Sequence, residues 1–71
     1  MQQQAKEPDL SLPYHEVFQT FEIYINHNSD RWRGGYVWVV SKNNQEVSSG
    51  LSFSTGASVE EAWDAVLLMV G

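Results

Sequence analysis

The chain has 71 residues, no cysteine, two histidines, and nine acidic residues against four basic ones, a formal net charge of −5. That length allows one domain with a marginal core, the missing cysteines exclude disulfides and thiolate chemistry, and two histidines alone argue against a structural zinc site. The acidic balance repels a phosphate backbone, and the longest apolar run, Ala65–Val70, is far shorter than the roughly 20 residues that cross a bilayer.

Residues 1–13 are polar, carry Pro8 and Pro13, and read as a flexible N-terminal arm. The arm holds no apolar run of the kind a signal peptide needs, so a cytoplasmic location, in a bacterial or phage-infected cell, is the expectation by exclusion. The single folded domain is expected over residues 14–71. Pro13-Tyr14-His15-Glu16 is assigned no regular element. From Val17 to Asn26 the chain reads as a strand, with Phe21, Ile23 and Ile25 on one face and Thr20, Glu22, Tyr24 and Asn26 on the other.

His27-Asn28-Ser29-Asp30 is a run of turn formers, and Gly34-Gly35 supplies two positions free to take positive φ. Tyr36–Ser41 is the second strand. It is apolar or aromatic at every position from Tyr36 to Val40, the pattern of a central strand, and its two faces cannot be told apart by alternation. Lys42-Asn43-Asn44-Gln45 is a tight hairpin connection, because asparagine tolerates the left-handed region of a type I′ turn. Val47–Ser54 is the third strand, with Val47, Leu51 and Phe53 expected inward and Ser48, Gly50, Ser52 and Ser54 outward.

Ser58-Val59-Glu60-Glu61 matches a capping box, so a helix is expected from Val59 to about Val70. Its apolar stripe is Val59, Ala62, Trp63, Val66 and Val70, with Glu60, Glu61 and Asp64 on the polar side of the first turns. The expected fold class is therefore α+β: a three-stranded antiparallel meander with one C-terminal helix packed on one face.

A sheet covered on one side has an open side. With Val37 and Val39 placed against the helix, Tyr36 and Trp38 join Tyr24 on the open face as an aromatic patch, the kind of surface that marks an interface. The helix ends on a second apolar surplus that includes Leu68. Between the first two strands lies Arg31-Trp32-Arg33, a loop whose residue types are enriched at protein–protein hot spots. The candidate partner-binding set is therefore Tyr24, Arg31, Trp32, Arg33, Tyr36, Trp38 and Leu68. A nucleic-acid reading of the same stretch, with arginines on phosphate and rings stacking on bases, meets a chain that lacks a positive footprint.

Catalysis finds little support. His27, Ser29 and Asp30 lie in one turn, whereas triad members converge from separate elements. Glu60, Glu61 and Asp64 have no further ligands opposite them, and Gly34-Gly35 lacks the strand–loop–helix setting and the lysine of a phosphate loop. No metal, cofactor or catalytic residue is expected.

Three strands followed by a helix resemble the C-terminal part of the double-stranded RNA-binding domain. Here Ser58-Val59-Glu60-Glu61-Ala62-Trp63 is acidic where that family is basic. Tyr36-Val37-Trp38-Val39-Val40, Ser49-Gly50, Phe53-Ser54-Thr55 and Glu60-Glu61-Ala62 resemble a pattern in short bacterial and phage β-β-β-α proteins of unknown function. The similarity covers residues 36–66 and implies a small α+β module without implying an activity. The functional expectation is a non-enzymatic protein-interaction module, a homodimer that modulates or inhibits a host protein. The alternative is a weak single-stranded nucleic-acid binder using the aromatic sheet face. No membrane association is expected.

Overall fold

A computed structural model describes residues 12–30 and 32–70. Four strands, β1 (Tyr14–Phe18), β2 (Phe21–His27), β3 (Tyr36–Lys42) and β4 (Gln45–Ser52), precede one helix, α1 (Thr55–Val70). The strands form one antiparallel sheet in the order β1-β2-β3-β4, and the helix packs on one face of it. The α+β class with a single packed helix is as expected, but the meander has four strands and not three.

The additional strand comes from a turn hidden inside an apparent strand. Val17–Asn26 is not continuous: the chain reverses at Gln19-Thr20, and Phe18 pairs with Phe21. A two-residue loop with both φ values positive, 55° at Gln19 and 69° at Thr20, is the type I′ geometry that matches the twist of a hairpin. Tyr14, Glu16 and Phe18 then alternate onto the helix side of β1. Lys42-Asn43-Asn44-Gln45 makes the second turn of this kind, with φ 55° and 65° at its asparagines, as its sequence indicates.

The core is Phe21, Ile23, Ile25, Trp38, Val40, Ala62 and Val66. The three β2 residues are the inward set expected of that strand. In β3 the faces are the reverse of the expectation. Trp38 is only 7% exposed and Val40 is fully buried, so Tyr36, Trp38 and Val40 lie on the helix side and Val37 and Val39 on the open side. Register explains this, because Trp38 pairs with Ile25 and Val40 with Ile23, and paired residues share a face.

β4 is also turned over. Gly50 and Ser52 pair with Trp38 and Tyr36 and so face the helix, while Leu51 pairs with Val37 on the open side. Val47 and Phe53, expected in the core, are exposed. Between Val40 paired with Ser48 and Ser41 paired with Glu46, the register slips by one residue at Val47. Such a bulge bends the strand and leaves one residue unpaired.

The helix begins a turn earlier than the capping box suggested. Ser54 Oγ accepts from the Ala57 amide at 3.0 Å, the bond made by an N-cap side chain. Ser58 lies within the helix, fully buried, and donates from Oγ to the Ser54 carbonyl at 2.9 Å. Glu60 and Glu61 consequently stand beyond the first turn, which holds no acidic residue. Val70, expected in the buried stripe, is exposed; Val59 and Trp63 are half-buried against the core. Residues 1–11 of the expected arm lie outside the described residues, and Leu12 packs against the core.

Candidate interaction site

Two tryptophan–glutamate bonds fix the helix on the sheet. Trp38 Nε1 of β3 donates to Glu61 Oε1 of α1 at 3.0 Å, and Ser52 Oγ donates to the other carboxylate oxygen at 3.2 Å. In the opposite sense, Trp63 Nε1 of α1 donates to Glu16 Oε2 of β1 at 3.1 Å, while Tyr14 O–H donates to Glu16 Oε1 at 2.9 Å. Burial first, and the bond to Glu16 second, push the Tyr14 phenol above its ordinary 10.0. The Trp63 ring also tilts against Phe18 at 5.6 Å. Glu16 and Glu61 are thereby structural acceptors on the two sides of the helix.

Trp38 and Tyr36 therefore leave the proposed open-face aromatic patch. Tyr36 sits on the helix side, its ring 5.4 Å from that of His27. Tyr24 remains on the open face, where it stacks on His15 at 4.7 Å and donates to Glu22. That hydrogen bond is the main reason its phenol titrates above 10.0. Among the described residues, the open face thus holds Tyr24 stacked on His15 beside Val37, Val39 and Leu51, without Tyr36 or Trp38. Leu68 is 83% exposed on the helix, away from all of these residues on the sheet.

The β2–β3 loop is built by two short polar side chains. The Asn28 amide N–H donates to the Gly35 carbonyl at 3.0 Å and its Nδ2 to the Gly34 carbonyl at 2.9 Å, closing the neck of the loop. Asn28 Oδ1 accepts from the Asp30 amide at 3.2 Å. Asp30 Oδ1 accepts from the amides of Trp32 and Arg33 at 3.1 and 3.3 Å, and the Asp30 carbonyl accepts from Gly34 at 2.9 Å. These are the local side-chain-to-backbone bonds that make Asn and Asp turn formers. Gly34 and Gly35 take φ of 73° and 86°, a region that costs other residues strain.

The outcome is a braced loop that carries Trp32 at 99% exposure, with Arg33 exposed beside it. Arg31 lies outside the described residues. At the base of the loop, His27, Asn28, Gly34, Gly35, Tyr36 and Phe53 line an open hollow of about 560 Å³. Phe53, just past the end of β4, is exposed and lines this hollow, which the sequence reading that placed it in the core missed. A Cβ on Gly35 would meet the Ser52 carbonyl oxygen at 2.8 Å and Phe53 at 2.9 Å. The bare glycine is what lets Phe53 lie there.

The His27 ring lies against Tyr36 and the Asp30 carboxylate accepts from loop amides. Among the described residues, no cluster of three or more His, Asp or Glu side chains could hold a metal ion. No helix among them is long and apolar enough to cross a membrane. Comparison with protein-family models finds none that matches the chain, and comparisons with curated proteins and with solved structures find no match either.

Proposed function

We propose that this chain is a small non-enzymatic protein-interaction module whose contact surface is centred on the Trp32–Arg33 loop. The observation that carries the reading is a tryptophan left 99% exposed on a loop whose backbone is already held by Asn28 and Asp30. A large apolar ring in water is unfavourable by roughly 1.5–3 kcal/mol relative to a buried one. Ordering the loop beforehand removes part of the entropy that binding would otherwise cost. Tryptophan and arginine together are the usual anchors of protein interfaces.

The reading places the module in the cytoplasm of a bacterial or phage-infected cell, where it modulates a host protein by occupying one of that protein's surfaces. That role rests on small size and acidity and on no chemical site. The test is quantitative capture from host lysate by immobilised wild type, Trp32→Ala and Leu68→Ala. One host protein retained by wild type and by L68A but lost with W32A supports the reading. Equal recovery on all three columns, or none on any, removes it.

A further inference from the structure

We infer that the occupant of the hollow at the base of the loop is Trp32 of a second copy of this chain, inserted reciprocally. The inference rests on the proposed interaction role of the loop and adds a second copy of this chain as something that Trp32 engages. Knob and hole belong to one loop: Trp32 protrudes, and Asn28, Gly34 and Gly35, within four residues of it, line the hollow together with His27, Tyr36 and Phe53. When a protrusion and its receptor are neighbours, a two-fold axis beside them makes both insertions at once and closes the assembly at two copies.

The chemistry of the lining suits an indole. Tyr36, His27 and Phe53 put three rings in the lining, and Gly34 adds a position with open space over it. Aromatic pairs of this type attract beyond their area, and an indole N–H needs an acceptor when covered.

Charge is less adverse at this surface than at the acidic ones. Two copies at −5 each repel on average. Glu60, Glu61 and Asp64 are exposed on the helix, and Glu22 and Glu46 flank Ser41 across the sheet, so approach by either route brings like charges together. The stretch Asp30-Arg31-Trp32-Arg33 carries two of the four basic residues and one acid, so a reciprocal contact there sets both signs of charge against both and not carboxylates alone against carboxylates.

The area is modest. Each inserted indole hides at most about 250 Å² of its own surface, so two insertions stay well below the roughly 1,200 Å² of a stable interface. The dimer is therefore weak and forms only at high protein concentration.

The experiment is sedimentation velocity on purified full chain from about 1 µM to about 1 mM, with wild type, Trp32→Ala, Phe53→Asp and Leu68→Ala. Trp32 and Phe53 are exposed enough for both changes to leave the fold intact, which circular dichroism checks. Wild type and L68A should pass from monomer to dimer while W32A and F53D stay monomeric. An equimolar mixture of W32A and F53D should regain part of the association, because one partner supplies the intact hollow and the other the intact knob. A wild type that stays monomeric to the highest concentration overturns the inference, as does a W32A protein that still dimerises. The W32A result decides alone if F53D fails to fold. The lysate capture reads a different partner, so a monomeric wild type that still captures a host protein through Trp32 removes only the dimer.

Discussion

The indole of Trp38 lies over Gly50, so close that a Cβ on that glycine would sit 2.5 Å from Cζ2 and 2.8 Å from Nε1. The same Nε1 donates to Glu61, so the bare position on β4 and the carboxylate on α1 hold one ring between them. Gly50→Ala must displace the ring, the hydrogen bond, or both. Overpacking of this kind costs about 1–3 kcal/mol. Urea unfolding followed by tryptophan fluorescence should show a lowered midpoint and a red-shifted native emission as Trp38 gains water. An alanine variant with wild-type midpoint and emission would mean that the indole has another place to lie.

The parity of β3 and β4 was not legible for the same reason. Along Tyr36–Val40 every residue is apolar or aromatic, so alternation is silent about which face meets the helix. In β4 the larger apolar residues lie on the open side, because the helix side must be small where Trp38 and the helix approach. The polar pattern Ser48, Gly50, Ser52 thus marks close packing and not exposure. The helix start shifted for a related reason: Ser54 and Ser58 are both plausible caps by type, and only burial distinguishes them. The inward face of Phe21, Ile23 and Ile25, the Asn43-Asn44 turn and the existence of one C-terminal helix were legible from alternation, left-handed asparagines and helical spacing, although alternation also ran through the Gln19-Thr20 turn and hid β1.

The Gln19-Thr20 turn gives a second test. Nothing in that dipeptide signals a turn, and a β-branched residue at φ 69° is strained. Thr20 does gain a bond from Lys42 Nζ at 2.9 Å, and the same ammonium lies 4.8 Å from the Phe21 ring centroid. The Lys42–Thr20 bond is exposed, so it contributes little beside the strain. Replacing Gln19-Thr20 with Asn-Gly should raise stability by roughly 1 kcal/mol, read as a higher thermal midpoint. A lower midpoint would mean that the lysine bond outweighs the backbone strain.

Removing Glu16 should act locally. Its two oxygens take the Trp63 and Tyr14 bonds, and β1 is an edge strand paired on one side only. Glu16→Ala leaves two part-buried donors without their partner, a loss of about 1–3 kcal/mol. Hydrogen exchange should accelerate first in Tyr14–Phe18 while the β2–β3 amides keep their protection. Uniform loss of protection across the sheet would show that β1 unfolds only with the whole domain.

The tyrosines make the pH response specific in sign. Tyr14 and Tyr24 both hold their protons above the ordinary 10.0, so between that value and their native pKa the folded chain binds more protons than the unfolded one. Their contribution to stability is complete below pH 10.0 and is lost as pH rises through the native pKa. Tyr24 is raised chiefly by its hydrogen bond to Glu22, whereas Tyr14 is raised first by burial and only then by Glu16. Glu22→Gln should therefore return Tyr24 close to ordinary behaviour, while Glu16→Gln should lower Tyr14 only in part. Phenolate absorbance against pH for the two variants and wild type reads this directly. A larger downward shift in E16Q than in E22Q would assign Tyr14 to its carboxylate partner and not to burial.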